Sequence, residues 1–311
     1  MAKFYPEQLN ERPHTGLLAP DGFSGPLLVS IPKPPVASFG DLHIYASDTV
    51  RSPWAQNTWF NIRSTQITSI TDAVQKLTAV QRNWWPYVSS LHRRMELIKE
   101  KMPYVSAKPL LFPERPTITP LGSYSLIAPD TMLYASSCSS YFPNGMVKLI
   151  EDHVNPPSRA YMKLWEVFSL IDARPIPGQI CMDLGASPGG WTWVLAKLGA
   201  TVYAVDRSPL RVDLMNHQNI KFVEGSAFAM QPQNSPEIDW FFSDVICYPM
   251  RLFELVRRWL DAGRNCNFIC TLKFQGRDQY QAIEKFQSIE GSSLVHLGCN
   301  KHELTWIYIQ K

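Results

Sequence analysis

The sequence lacks the features that mark secreted, membrane-spanning or zinc-stabilised proteins. No apolar run reaches about eighteen residues, and the opening residues MAKFYPEQLN contain no apolar signal core. The six cysteines are scattered, with no second pair or histidine at the spacing of zinc ligands. We therefore expect a cytoplasmic protein with free, buried thiols, no bound metal and no membrane contact.

A strong charge of either sign is also missing. Residues 1–150 hold 14 Lys and Arg against 10 Asp and Glu, whereas residues 151–311 hold 16 against 17, so the net charge of +3 arises in the first half. This small excess gives only slight support for a polyanionic partner. The apolar content of 45% is typical of a folded chain, and a length of 311 residues favours two domains.

Prolines and hydrophobic periodicity divide the chain into three regions. Seven prolines occur in residues 1–40, which predicts an extended arm on the surface. Residues 41–148 combine a strand, two helices and a hairpin, and they predict a small α+β module. Residues 149–311 alternate short apolar strands with amphipathic helices, which is typical of a mostly parallel α/β sheet covered on both faces.

The stretch CMDLGASPGGWTW, residues 181–193, joins the first strand of the third region to a helix. Gly185 permits a tight turn there, and Gly189 and Gly190 let the backbone approach a ligand at the start of the helix. Asp206 ends the following strand, where a carboxylate can accept hydrogen bonds from both hydroxyls of a ribose. Dinucleotides and S-adenosylmethionine are both bound by turns of this kind.

Two details separate these cofactors. The dinucleotide spacing G-x-G-x-x-G is absent, because Ser187 and Pro188 occupy the middle of the turn. Asp183, two residues before the first glycine, suits a cationic ligand better than a phosphate. Together these details favour a methyl donor slightly over a dinucleotide. A strand–turn–helix corner with a purely structural role is the remaining alternative.

DLGASPGGW resembles the first motif of the FtsJ-like family of Rossmann-fold methyltransferases, which transfer a methyl group from S-adenosylmethionine to an RNA ribose 2′-hydroxyl. That family uses a Lys–Asp–Lys–Glu tetrad, and matching segments are SRAYMKLWE, WFFSD, FICTLK and KHELTWIYI. The resemblance implies the catalytic residues Lys163, Asp244, Lys273 and Glu303. It also implies that the cofactor is bound by Asp183, Gly185, Ser187, Pro188, Gly189, Gly190, Trp191, Asp206, Ser226 and Asp244.

The resemblance extends to fold and substrate. It is strongest to family members that modify 23S ribosomal RNA, in which a THUMP-type RNA-binding module precedes the catalytic domain. It implies a THUMP-like module in residues 41–148, a Rossmann-like methyltransferase domain with a seven-stranded type of sheet in residues 149–311, and a cytidine of large-subunit ribosomal RNA as the target. We expect a monomer or a weak dimer.

The tetrad also makes chemical sense. A ribose hydroxyl is a poor nucleophile and must lose its proton as it attacks the methyl group of a sulfonium. A neutral lysine can accept that proton, and burial near a second ammonium lowers a lysine pKa. We predict that Lys273 is the base, that Lys163 and Glu303 orient the hydroxyl, and that Asp244 lies between lysine and methyl donor.

Each of these residues also has a structural interpretation. Lys163 could pair with Glu166 on a helix surface. Asp244 and Lys273 could form an unrelated ion pair, and Glu303 could simply end an exposed strand.

Cys247, after the fourth strand of the third region, could be the nucleophile of a cytosine-C5 methyltransferase.

Departures from the family pattern keep other functions open. Ser226 replaces an aspartate that faces the adenine, and Ala160 replaces a serine near the cofactor, so an RNA-binding protein without turnover is a second hypothesis. The small net charge keeps a methyltransferase for small-molecule hydroxyls open. NWWPY, residues 83–87, offers rings that either stack on unpaired bases or pack in a core.

Overall fold

The chain divides into two compact units. The computed structural model describes residues 4–276 and 280–310. Residues 1–110 and 116–148 form the first unit, and residues 111–115 and 149–311 form the second. No helix of the described residues has the length and apolar character that a membrane span requires.

The first unit contains two sheets. In chain order its helices and strands are β1 (Thr15–Leu18), α1 (Ser24–Val29), β2 (Ala37–Phe39), β3 (Leu42–Tyr45), β4 (Asn57–Phe60), β5 (Arg63–Gln66), α2 (Ile70–Val80), β6 (Trp84–Pro86), α3 (His92–Lys101), β7 (Gly122–Ala128), β8 (Thr131–Ala135) and β9 (Ser137–Cys138). One sheet is antiparallel, with the strand order β2-β3-β1-β4-β9, and the other has the order β5-β8-β7-β6.

The prediction of an extended arm over residues 1–40 is wrong, because the described part of this region, from residue 4 onward, is folded. Strand β1 is the central strand of the five-stranded sheet, and Leu17 is fully buried within it. Leu9, in a 3₁₀ turn before β1, is fully buried as well. The prolines gave a wrong prediction because five of the seven lie in connections between folded elements, whereas Pro6 opens the 3₁₀ turn and Pro26 lies in α1. In addition, a four-residue strand such as TGLL is too short to display a periodicity.

The two tryptophans of NWWPY have different environments. Trp84 is 2% exposed, and its indole N–H donates to the main-chain oxygens of Leu77 and Gln81, so it packs in a core. Trp85 is half-buried, and the Lys99 ammonium lies 4.8 Å from its ring centre. Of this pair, only Trp85 presents its ring to solvent and can serve as a surface contact.

The second unit is built on one seven-stranded sheet. Its helices and strands are α4 (Tyr161–Leu170), β10 (Ile180–Leu184), α5 (Gly190–Lys197), β11 (Thr201–Asp206), α6 (Val212–Met215), β12 (Ile220–Glu224), β13 (Trp240–Ser243), α7 (Pro249–Asp261), β14 (Asn267–Lys273), α8 (Gln281–Gln287), β15 (Ser292–Val295) and β16 (Glu303–Tyr308). The strand order is β12-β11-β10-β13-β14-β16-β15, and β16 runs antiparallel to both of its neighbours. This order and the single reversed strand form a Rossmann-like methyltransferase sheet.

The predicted alternation of strands and helices is confirmed, with one further strand. Strand β15 was not predicted, because SSLV is short and half polar. Residues 277–279, which precede α8, lie outside the described chain.

Aromatic packing holds β13 in the middle of this sheet. On one face Trp240 and Phe242 stack at 5.7 Å, and both contact Phe168 of α4 edge-on. On the other face Phe241 packs against Trp259 of α7. Strand order reverses between β10 and β13, so ligands are expected at the carboxyl ends of these two strands.

Burial of β1 gives a test of the first unit. Leu17→Ala should lower the opening free energy of the five-stranded sheet by about 2–5 kcal/mol, because it leaves a cavity in a packed core. Val29→Ala, at a site 57% exposed, should change it by less than about 0.5 kcal/mol. Native-state hydrogen exchange of the β1, β3 and β4 amides measures both. Equal values for the two variants would mean that β1 is a surface segment.

Candidate active site

Three charged residues are brought together by the strand ends of the second unit. Asp244 directly follows β13, and Lys273 ends β14. Glu303 begins β16 and is paired directly opposite Lys273 in the antiparallel ladder. The fourth residue, Lys163, is in the first turn of α4. We call these four residues the tetrad.

Asp244 is the centre of the tetrad. Its Oδ1 lies 3.3 Å from Lys163 Nζ and 3.1 Å from Lys273 Nζ. Lys273 also donates to the main-chain oxygen of Asp244, at 2.5 Å, and Lys163 Nζ lies 2.6 Å from Glu303 Oε1. The four side chains are only 12–21% exposed, so their mutual interactions are weakly screened by water.

Lys163 is held in its charged form. Burial by itself would lower the pKa of Lys163, but the carboxylates of Asp244 and Glu303 together outweigh burial and raise it above the ordinary lysine value. Lys163 therefore stays an ammonium at neutral pH and can donate hydrogen bonds but not accept a proton. The predicted alternative, a surface pair with Glu166, is wrong because Glu166 is buried and its carboxylate accepts hydrogen bonds from Gly298 and Cys299.

The glycines of the turn between β10 and α5 are there for steric reasons. Gly185 has φ +80°, and a Cβ on it would lie 2.9 Å from the Val245 Cα. A Cβ on Gly190 would lie 2.5 Å from Ser158 Oγ. Contacts this short exclude larger residues, so the turn packs closely on the chain around it.

A cavity of about 410 Å³ lies between this turn and the tetrad. Its lining residues are Ser158, Ala160, Asp183, Gly185, Ala186, Ser187, Pro188, Gly190, Trp191, Asp206, Asp244, Val245, Ile246 and Lys273. Two of the predicted cofactor residues, Gly189 and Ser226, are not among them. Ser226 Oγ instead accepts a hydrogen bond from the Phe228 amide and caps a short 3₁₀ turn.

The charges of the cavity decide between the two cofactor classes. Asp183, Asp206 and Asp244 face it against the single cation Lys273. Such an acidic lining fits a sulfonium cation and opposes the pyrophosphate of a dinucleotide. Asp206 is also anchored for binding, since its Oδ2 accepts from the Ser187 amide at 3.0 Å. The residues present therefore fit S-adenosylmethionine.

Asp183 is the most deeply buried of these carboxyl groups. It is 1% exposed, and burial raises its pKa to about 7 even though the Thr192 hydroxyl donates to Oδ2 at 2.6 Å. A cation bound nearby favours the ionised form. Near neutral pH, Asp183 can therefore adjust its charge to the ligand.

Several residues of the site were not predicted. Ser158, Ala186, Val245 and Ile246 line the cavity, and their adjacency to the turn or to Asp244 was the available signal. Cys247 does not fit a reactive nucleophile, since it is 9% exposed and burial raises the pKa of its thiol.

Residues 156–267 match the family model described as FtsJ-like methyltransferase. The matched segment, 112 of the 311 residues, is similar to an FtsJ-like methyltransferase domain. Lys163 and Asp244 fall inside the matched range, whereas Lys273 and Glu303 lie beyond it. The ion pairs and the β14–β16 ladder join these two later residues to the first two.

Curated relatives of this domain carry the name ribosomal RNA large subunit methyltransferase M. The relative from Azoarcus sp. is 32% identical over 150 residues, 46% of this chain and 41% of the relative. The relative from Idiomarina loihiensis is 30% identical over 206 residues, 63% of this chain and 53% of the relative. The chain thus spans about half the length of the curated relatives it matches.

Solved structures resemble the chain distantly. Fibrillarin from Aeropyrum pernix, in complex with S-adenosyl-L-methionine, is 15% identical, with a TM-score of 0.38 over 59% of this chain and 80% of that one. TrmN from Thermus thermophilus is 12% identical, with a TM-score of 0.34 over 96% of this chain and 99% of that one. Scores this low support no conclusion about function.

The raised pKa of Asp183 predicts a pH-dependent stability. The folded carboxyl group keeps its proton up to a pH of about 7, whereas the unfolded one ionises near 4. Its stabilising contribution is therefore fully present below pH 4 and is lost as the pH rises to 7, by a total on the order of a few kcal/mol.

The Asp183→Asn variant cannot titrate at this position, and its amide oxygen can still accept the hydrogen bond from Thr192. The difference in unfolding free energy, variant minus wild type, should increase from pH 5 to pH 8 when both are measured by urea denaturation. Asp261→Asn, at an exposed surface ion pair, should run parallel to the wild type. If the Asp183→Asn profile is also parallel, the carboxyl group is ionised in the folded state across this range.

Proposed function

We propose that this chain is an S-adenosylmethionine-dependent methyltransferase that modifies a ribose 2′-hydroxyl of large-subunit ribosomal RNA. The observation that carries the proposal is the tetrad, which lies beside an acidic cavity of the size that holds a small molecule. The names of the curated relatives support the choice of RNA as substrate.

The cofactor supplies a methyl group made electrophilic by its sulfonium. In our proposal the Asp206 carboxylate accepts hydrogen bonds from the cofactor ribose, and Asp183 and Asp244 offset the positive charge. The turn at residues 185–190 contributes main-chain surface with no side chain in the way. These residues explain binding and orientation, and the tetrad explains the chemistry.

Lys273 is the base in this mechanism. It lines the cavity, whereas Lys163 is held as an ammonium by two carboxylates. Lys273 Nζ would accept the proton of the ribose 2′-hydroxyl, and S-adenosylmethionine held by the cavity would supply the methyl group for that oxygen. Lys163 and Glu303 orient the hydroxyl, and alignment supplies much of the rate.

The first unit supplies the RNA-binding surface in this proposal and acts as a THUMP-like module. Trp85 and Lys99 line two neighbouring grooves of about 350 and 610 Å³, and Tyr104, which lines the larger one, is 76% exposed. Exposed rings beside cations suit unpaired bases, since every base has a face that can stack.

The base is tested by Lys273→Ala. Methyl transfer to ribosomal RNA should fall by about 10²–10⁴-fold, because the hydroxyl loses its proton acceptor. Binding of S-adenosylmethionine in calorimetry should change little, because the carboxylates of the cavity remain. Lys197→Ala, at an exposed lysine in the last turn of α5, is the matched control and should keep full activity. Full activity of Lys273→Ala would rule out this mechanism.

The substrate is tested by mass-spectrometric mapping of ribose methylation in ribosomal RNA from cells with and without the gene. We expect one 2′-O-methyl group of the large-subunit RNA to disappear and to return with the wild-type gene only. An unchanged methylation pattern together with no S-adenosylmethionine binding would favour an RNA-binding protein without turnover. An unchanged pattern with normal cofactor binding would favour a small-molecule hydroxyl as acceptor.

A further inference from the structure

Glu166 is a buried carboxylate that the mechanism above does not use. It lies one turn after Lys163 on α4 and is 4% exposed. Oε1 accepts a hydrogen bond from the Gly298 amide at 2.7 Å, and Oε2 accepts one from the Cys299 thiol at 3.3 Å. Burying a carboxylate is costly unless its oxygens are hydrogen-bonded, and burial raises the pKa of this one. An apolar side chain would fill the same space without the free energy of desolvating a carboxylate. We therefore expect the hydrogen bonds that Glu166 accepts to have a role.

These hydrogen bonds are part of a closed ring of contacts. The segment after Gly298 continues to Asn300, whose side-chain amide donates to the main-chain oxygen of Glu303 at 3.2 Å. Glu303 in turn contacts Lys163 at 2.6 Å. The segment 298–303 is therefore joined to α4 at both ends, by Glu166 at its start and by Lys163 at its end.

Other contacts hold the end of the segment next to Glu303. Glu303 is the first residue of β16, and the Phe274 amide, just after β14, donates to the main-chain oxygen of the preceding residue, His302. The His296 ring also contacts the main-chain oxygen of residue 301 at 3.1 Å. At the start of the segment, Gly298 has no side chain, and its amide donates to the Glu166 carboxylate. Glu166 thus anchors to α4 the part of the segment that lies farthest from the strand pairing.

We propose that Glu166 is a positioning residue, which fixes the segment 298–303 on α4 and thereby holds Glu303 in contact with Lys163. Its kinetic consequence rests on the proposed function, whereas its structural consequence does not. Misplacing an orienting group by about 1 Å is enough to lower a rate by up to about a hundredfold. The hydrogen-bond partners of Glu166, Gly298 and Cys299, do not line the cavity. We therefore expect the affinity for the cofactor to stay unchanged when Glu166 is replaced.

Two substitutions separate hydrogen bonding from packing. Glu166→Leu keeps a similar volume and removes both acceptors, whereas Glu166→Gln keeps an acceptor for the Gly298 amide. We expect Glu166→Leu to lower kcat for RNA methylation by about tenfold or more, with the KM for S-adenosylmethionine unchanged. Glu166→Gln should restore most of the rate. Asn300→Leu breaks the same ring at its other side and should reproduce the effect, which covers the case that Glu166→Leu fails to fold.

Hydrogen–deuterium exchange of the peptide 297–303 reports the positioning without any assay of activity. Exchange should be fast in Glu166→Leu and slow in the wild type and in Glu166→Gln. Wild-type exchange in Glu166→Leu, or a Glu166→Gln variant as impaired as Glu166→Leu, would overturn the proposal. If the wild type itself lacks RNA methylation, the proposed function fails, while the exchange result still decides whether Glu166 positions this segment.

Discussion

The tetrad of the second unit depends on one carboxylate shared between two lysines. Asp244 contacts Lys163 on a helix and Lys273 on a strand, so it joins elements that are 81 and 29 residues away in the chain. The pairs are largely buried, where removing one partner would leave an uncompensated charge. The geometry is held because loss of one member would leave another charge buried without its partner. The two lysines differ because Lys163 contacts the carboxylates of both Asp244 and Glu303, whereas Lys273 contacts that of Asp244.

The same logic of unequal surroundings applies to the acidic groups. Asp183 is buried, accepts a hydrogen bond from the Thr192 hydroxyl and retains its proton up to near neutral pH. Asp206, at the end of the neighbouring strand, accepts two main-chain amides and is partly exposed. One cavity thus contains a carboxyl group with adjustable charge beside a carboxyl group whose position is held by hydrogen bonds, which suits a ligand that carries both a cation and sugar hydroxyls.

Local sequence predicted the strand ends well because the three tetrad charges on strands directly follow or open a run of apolar residues. Asp244 after WFF and Lys273 after FICTL are examples, since an isolated charge at the end of a buried strand is visible without knowing the fold. The prediction that the four tetrad residues lie close together depended on the family resemblance. In the first region, the many prolines led to the prediction of an extended arm, and the strand TGLL was too short to contradict it. The central position of β1 depends on partner strands far along the chain.

Glu166 shows a different limit of local reasoning. At three residues from Lys163 it fits a surface ion pair, and helical spacing alone supports that interpretation. Its actual partners, Gly298 and Cys299, are about 130 residues away and include a main-chain amide, which has no signature in the sequence. Interactions with the main chain of distant loops are the part of a site that residue types cannot reveal.

The antiparallel strand β16 has a consequence for the synthesis of the protein. Because Glu303 opens β16 and pairs with Lys273 across the ladder, the last strand of the sheet completes the tetrad. The four side chains of the tetrad cannot come together until residues 303–308 have emerged from the ribosome, so the site is completed later in synthesis than β10, β13 and β14.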